Sequence, residues 1–256
     1  MKRALLLVLL VLTSTIARAA EPDYSAWTRI LRTYYDPAKG MSYGALKAKD
    51  AAALEALKQQ LGKVNVAALT PKQQLAYWIN VYNVNSVATI VESYPVESIR
   101  DLSTDPIIRL NVFKKERAPF GGALLSLDEI ENKRIREGFH DPRIHFAINC
   151  AARSCPPIRT EAYTGANVDA QLDDQVRRFL DGPLGAHFGR KGDTLVVHVT
   201  KIMDWFKDDF ETWGGGRVAF LKKYLAPAKA KLFDGAKDVD FEFDDYDWKL
   251  NDNPRS

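Results

Sequence analysis

The stretch from Thr70 to Pro95 constrains the fold more than any other part of the chain. Thr70-Pro71 is a helix start, with a threonine to cap free amides and a proline whose fixed φ suits the first turn. Pro95 stops the helix at about Tyr94, because the residue before a proline is pushed out of helical geometry. Inside it, Leu75-Ala76-Tyr77-Trp78-Ile79 is apolar on nearly every side. A helix with so little polar face has to be surrounded by other elements. The sequence therefore predicts a central buried helix with the rest of the protein packed around it. Asn80 and Asn83 lie three apart and share one face of that helix. Each needs a partner there, since an unsatisfied buried amide costs about 1–3 kcal/mol.

The surrounding elements follow from periodicity and punctuation. Tyr24 to Tyr35 carries Trp27, Ile30, Leu31 and Tyr34 at amphipathic-helix spacing, and Ala45 to Leu61 is a second helix closed by Gly62. Asn111 to Arg117 and Ala123 to Leu125 are expected as short strands around Gly121-Gly122. Ser126-Leu127-Asp128-Glu129 is a capping box opening a helix that runs to about Gly138. Arg143 to Asn149 is expected as a buried strand after the Asp141-Pro142 turn. Further on, Asp169 to Leu180 is helical and Thr194 to Val199 is a strand. Met203 to Trp213 and Val218 to Leu225 are helices parted by Gly214-Gly215-Gly216. Val239, Phe241 and Phe243 alternate with acids as an edge strand would. Together these predict an α+β protein: one helix-rich domain with a central buried helix and a small, mostly antiparallel sheet.

The first nineteen residues are expected to be a cleavable signal peptide, with residues 20–256 forming the single domain. Lys2 and Arg3 precede the apolar run Ala4 to Leu12, and Ala17-Arg18-Ala19 offers small residues at the cleavage site. The run is shorter than the roughly 20 residues of a membrane span, so no membrane insertion is expected after signal removal. The expected destination is the periplasm or the exterior. The whole chain has 36 Lys+Arg and 33 Asp+Glu, and loss of Lys2, Arg3 and Arg18 leaves 33 of each. A nucleic-acid binder keeps a basic excess or stripe, so no nucleic-acid partner is expected. The acids Asp240, Glu242, Asp244, Asp245 and Asp247 lack the spacing of a calcium loop and suit a solvated strand face.

Reactive residue types concentrate in one place. From Arg143 to Pro157 the chain carries His145, Asn149, Cys150, Arg153, Ser154 and Cys155 among small residues. Nucleophilic catalysis needs a reachable thiol or hydroxyl, a base to deprotonate it and a group to orient the base. Arg153 offers a cationic field that favours thiolate, and Glu131 lies upstream as a carboxylate. Two cysteines without a matching His or Cys pair do not fill a tetrahedral zinc shell, so neither a metal nor a cofactor is expected. An oxidising compartment equally allows a Cys150–Cys155 disulfide, which would give the loop its shape and remove the nucleophile. A histidine on a buried strand has its own structural reading, as a hydrogen-bonded core residue.

His145-Phe146-Ala147-Ile148-Asn149-Cys150, followed by Ser154-Cys155-Pro156-Pro157-Ile158, resembles the signature of the DUF547 family of uncharacterised proteins. Residues 76–83, 126–132, 204–210 and 246–251 support the same resemblance, which so spans the domain. A more distant likeness, to papain- and transglutaminase-type cysteine enzymes, is an analogy of fold alone. In those enzymes the cysteine opens the central helix and the histidine follows it. Here that helix carries Asn80 and Asn83 and no cysteine, and His145 precedes both thiols.

Two functional expectations result. One is a hydrolase or acyl-transfer enzyme acting on a small molecule or peptide, with Cys150 (or Cys155) as nucleophile, His145 as base and Glu131 as its orienter. Asn80, Asn83, Asn149, Arg153 and Ser154 would then shape the binding loop. The other is a non-catalytic binding or scaffold protein in which Cys150 and Cys155 form a structural disulfide.

Overall fold

Trp27, Ile30, Leu31 and Tyr34 recur at helical spacing, and all four are buried along one side of α1 (Ser25–Tyr34). This is a computed structural model; it describes residues 20–103, 111–116, 118–120 and 123–254, so the expected signal peptide lies outside the described residues. A two-residue hairpin, β1 (Tyr35–Asp36) and β2 (Gly40–Met41), turns the chain into α2 (Tyr43–Gly62), which kinks at Asp50. Gly40 has φ +102°, and a Cβ there would lie 1.9 Å from the Asn251 carbonyl oxygen. Only glycine admits the C-terminal segment so closely.

The cap at Thr70 forms reciprocally. Gln73 N–H donates to Thr70 Oγ1 at 3.3 Å, and Thr70 N–H donates to Gln73 Oε1 at 2.9 Å. The helix it opens, α3 (Pro71–Ser93), is buried at every position from Leu75 to Val91. It is the central helix the sequence predicts.

Two expectations for the next region are corrected. Asn111 to Arg117 is not a strand: Asn111–Lys114 forms a short helix (α4), and pairing starts at β3 (Ala118–Phe120) against β4 (Ala123–Leu125). Arg117 and the Gly121-Gly122 turn lie outside the described residues. The Ser126 capping box opens α5 (Leu127–Glu129), which widens into a π-helix over Ile130–Arg136 and ends as α6 (Glu137–Phe139). Arg143 to Asn149 is not a strand either. Pro142–Phe146 is a 3₁₀ helix, because Asp141 accepts from Arg143 N–H at 3.0 Å and Pro142 presets the first turn.

The remainder is α7 (Val168–Asp181), β5 (His187–Lys191), β6 (Thr194–Val199), α8 (Ile202–Trp205), α9 (Lys207–Glu211), α10 (Gly216–Tyr224), α11 (Pro227–Ala230) and β7 (Asp238–Phe243). The single helix expected over 203–213 is broken at Phe206, whose backbone leaves helical geometry (φ −109°, ψ 32°). Strand β6 pairs antiparallel with β5 and parallel with β7, which leaves β7 at an edge as its acid alternation predicts. The protein is thus α+β and helix-rich, with small sheets. Among the described residues no helix is long and apolar enough to cross a membrane.

The apolar interior falls into two clusters. One surrounds α3, and the other lies beneath the three-stranded sheet. The 3₁₀ segment sits at their seam, with Ile144 in the first cluster and Phe146 in the second. Helix α7 spans the same seam through Leu172 and Val176. The loop that follows the 3₁₀ turn is therefore fixed from both sides.

Candidate active site

Asparagines set the backbone of the cysteine loop. Asn83 Nδ2 donates to the Ala147 carbonyl at 2.9 Å, and Asn83 Oδ1 accepts from Asn149 N–H at 2.9 Å. Asn149 in turn donates to the Pro156 carbonyl at 2.8 Å and accepts from Ala151 N–H at 2.8 Å. Asn80 serves a neighbouring loop, donating to the Tyr163 carbonyl at 2.8 Å and accepting from Tyr163 N–H at 3.0 Å. Asn80 and Asn83 are therefore both spent on backbone, as their burial requires. Ala151 holds φ +65°, an unfavourable backbone state for a residue with a Cβ. The segment 246–253 straps the loop down through Arg153 N–H to the Lys249 carbonyl at 2.9 Å and Asn251 N–H to the Ala151 carbonyl at 2.9 Å. Ser154 Oγ accepts from Asp247 N–H at 2.8 Å, so its hydroxyl belongs to this strap.

Cys150 and Cys155 are joined as a disulfide, their Cα atoms 6.4 Å apart. Cys150 is partly exposed and Cys155 is buried. The Tyr246 hydroxyl touches both sulfurs, at 2.9 Å from Cys155 and 3.3 Å from Cys150. Burial pushes this phenol well above its ordinary range, so it stays protonated. The two cysteines, His145 and Glu131 line one cavity of about 280 Å³, walled by Tyr82, Trp205, Phe206 and Trp248 among others. Trp205, Tyr246 and Trp248 pack on one another with ring centroids 4.7–5.8 Å apart. Arg153 lines a separate cavity of about 700 Å³ that Cys155 also borders, so its guanidinium does not sit with the imidazole.

The carboxylate on the imidazole is Asp209, in place of the expected Glu131. His145 Nε2 lies 2.7 Å from Asp209 Oδ2, and Arg136 grips the same carboxylate through Nε at 2.7 Å and Nη2 at 2.9 Å. The ring is almost wholly buried and stacks on Phe206 at 4.0 Å between centroids. Burial pushes the imidazole down against the pull of Asp209, so the ring is neutral near pH 7. Burial alone would raise the Asp209 carboxyl, but the bonds from His145 and Arg136 outweigh it and hold the group well below the usual range. An ionised carboxylate only accepts hydrogen bonds. The imidazole proton must therefore sit on Nε2, which leaves Nδ1 as a lone pair, and Nδ1 has no hydrogen-bond partner.

Glu131 takes another role. It hydrogen-bonds with Tyr82, and desolvation of its carboxyl pushes it up to about 7, partly opposed by Arg136. The residue keeps some surface exposure and lines the aromatic-walled cavity. A raised carboxyl stabilises the fold below its unfolded value of 4.5, and that stability is lost as pH rises through about 7. His145 has the opposite sign: its contribution is present above 6.5 and is lost as pH falls below it. Glu131→Gln should thus melt higher than the parent at about pH 8 and lose that advantage at about pH 4.5, measured by thermal unfolding across pH. An unchanged difference across that range would contradict the desolvated carboxyl.

Sequence reasoning placed His145, Cys150, Cys155 and Glu131 in the site and missed Asp209, Arg136, Tyr246 and the aromatic wall. Both 204–210 and 246–251 carry the family resemblance, yet nothing local in them marks Asp209 or Tyr246 as a partner of His145 or the cysteines. Only the fold shows that both segments return to the 150–155 turn.

Fold and site together define a helix-rich α+β protein with a cysteine pair and a carboxylate-held histidine on one cavity wall. Residues 66–180 match a family model described as "Protein of unknown function, DUF547", and that stretch of the chain is similar to this family. The matched segment holds the central helix, Glu131, His145 and both cysteines, while Asp209 and Tyr246 lie beyond it. No curated protein and no solved structure matches the chain.

Proposed function

We propose that this is an exported cysteine-dependent hydrolase or acyl-transfer enzyme that acts on a carbonyl group of a small molecule or peptide. The observation that carries the reading is that a neutral His145, whose buried Nδ1 has no hydrogen-bond partner, lines the same cavity as both sulfurs. Export is supported by the three-part pattern of residues 1–19 and by a cysteine pair suited to an oxidising compartment. In the reduced pair Cys150 is the nucleophile, because it is the more exposed of the two. His145 Nδ1 takes the Cys150 proton, and the sulfur bonds to the carbonyl carbon. The bond to the leaving group then breaks, and that group departs with the proton from the imidazolium. Water, or an acceptor amine or alcohol, attacks the thioester carbon and gives its proton to His145, which returns it to the released thiolate. Glu131, protonated up to about neutral pH, donates a hydrogen bond to the oxygen that gains charge. Asp209 is a positioning residue that holds the ring and its tautomer.

The test uses the full chain exported from a bacterial host. Protein recovered outside the cytoplasm should have the mass of residues 20–256; an uncleaved mass, or retention inside, sinks the export claim. After mild dithiol treatment, iodoacetamide should alkylate Cys150, and His145→Gln should slow this about tenfold near pH 7. An unassisted thiol is only a few per cent ionised there. Equal rates in parent and variant remove the acyl-transfer mechanism. Sulfurs that stay locked under mild reductant would favour the rival reading, a binding or scaffold protein with a structural disulfide. The strap over the loop favours that rival, and under it Cys150→Ala and Cys155→Ala change only the melting temperature.

A further inference from the structure

We propose that the Cys150–Cys155 pair carries a second activity, thiol–disulfide exchange with dithiols, in which Cys150 is the sulfur attacked and Cys155 the sulfur released. The inference goes beyond acyl transfer and stands without it, since exchange needs no carbonyl substrate.

The two sulfurs are not equivalent. Cys150 is partly exposed on the cavity wall, and Cys155 is buried at 6 % exposure. Cys155 Sγ receives the backbone N–H of Cys150 at 3.0 Å, and the Tyr246 hydroxyl lies 2.9 Å away. Tyr246 keeps its proton, so it donates. Cys150 Sγ has only the more distant Tyr246 contact, at 3.3 Å, among the described residues. Donors aimed at a sulfur favour its thiolate, and a thiol of lower pKa leaves faster from a disulfide. The exposed sulfur is thus the one an incoming thiolate can reach, and the buried one is the better leaving group. Both preferences point the same way.

The loop suits a reversible reaction. Asn83, Asn149 and the 246–253 strap hold its backbone through bonds that do not involve the sulfurs. Once parted, the two thiols stay near each other and ready to rejoin. The cavity beside Cys150 is walled by Trp205, Phe206 and Trp248, which accept the apolar flank of an incoming thiol.

The chemistry closes without a cofactor. One thiol of the dithiol loses its proton to water, and its sulfur bonds to Cys150 Sγ. The Cys150–Cys155 bond breaks, and its electron pair goes to Cys155. The second thiol attacks the substrate sulfur of the mixed disulfide, its proton passing to the released Cys150, while Cys155 takes a proton from water, so both protein sulfurs end as thiols. The dithiol is oxidised to its disulfide, and two electrons and two protons pass to the protein.

The experiment follows opening of the disulfide in the native oxidised protein by dithiothreitol, read by thiol mass-tagging. Tyr246→Phe should slow opening about threefold, since loss of one donor raises the leaving thiol and a thiol of higher pKa leaves more slowly. Cys155→Ser, with Cys150 free, should form a mixed disulfide with oxidised glutathione at least about tenfold faster than Cys150→Ser, with Cys155 free, given their difference in access. Circular dichroism melts of each variant confirm that folded protein is compared. Failure to open without denaturant overturns the proposal, as does a faster Cys155 or a Tyr246→Phe rate at or above the parent's. His145-independent alkylation of Cys150 would remove the acyl-transfer reading and leave these results standing.

Discussion

Asp209→Asn is expected to leave the fold in place and to cut alkylation of the reduced Cys150 about tenfold near pH 7. The carboxylate accepts three bonds at once, with Oδ2 shared by His145 Nε2 and Arg136 Nε, and Oδ1 taken by Arg136 Nη2. An amide of the same shape has one acceptor and one donor end. If its nitrogen takes the Oδ2 place, it faces His145 Nε2 and forces the imidazole proton over to Nδ1, which ends the service of that nitrogen as a base. If its nitrogen takes the Oδ1 place, two donors collide at Arg136 and the grip on the ring loosens. In both cases the base is lost, and the rate should fall to that of His145→Gln. The pH profile separates this from a structural defect. Parent and variant rates should converge above about pH 9, where a free thiol ionises unaided. A constant ratio across pH, or an unchanged rate at pH 7, would show that Asp209 does not set the tautomer.

Asn83→Leu should carry the largest stability cost of any single change near the site. It removes both ends of one amide and leaves the Ala147 carbonyl and the Asn149 N–H without that partner inside the core. Each orphaned buried group costs about 1–3 kcal/mol. For a chain of this size the loss lowers the melting temperature by on the order of 10 °C. The cysteine loop should loosen before the rest, because Asn149 hands the constraint on to Ala151 and Pro156. Calorimetry measures the first effect, and the rate of disulfide opening by dithiothreitol measures the second. A shift below about 2 °C would mean that water or a relaxed backbone satisfies the orphaned pair.

The central helix was legible because its signals are local. Thr70, Pro71 and Pro95 mark its ends, and the unbroken apolar stretch from Leu75 declares its surroundings. The Ser126 capping box and the acid alternation of β7 were readable on the same terms. The expected strand at Arg143 failed because Ile144, Phe146 and Ile148 fit a buried run of either kind, and periodicity cannot separate a strand from a tight helical turn over so few residues. Asp141 and Pro142 decided the matter. The break at Phe206 was hidden for a related reason: apolar anchors at helical spacing run straight through it. Asp209 escaped because an acid 64 residues from His145 carries no local mark of its partner. His145, Glu131 and the cysteines were found through residue type and crowding, and the carboxylate and phenol that complete the site belong to long-range geometry.

The strap over the cysteine turn bears on when the site can come into being. Tyr246, Trp248 and the backbone that pins Ala151 and Arg153 are all synthesised after the residues they frame. His145 and both sulfurs emerge roughly a hundred residues earlier and stay unframed until then. A chain still in synthesis, or one clipped before residue 246, would hold its cysteines but lack the phenol and indole that frame them.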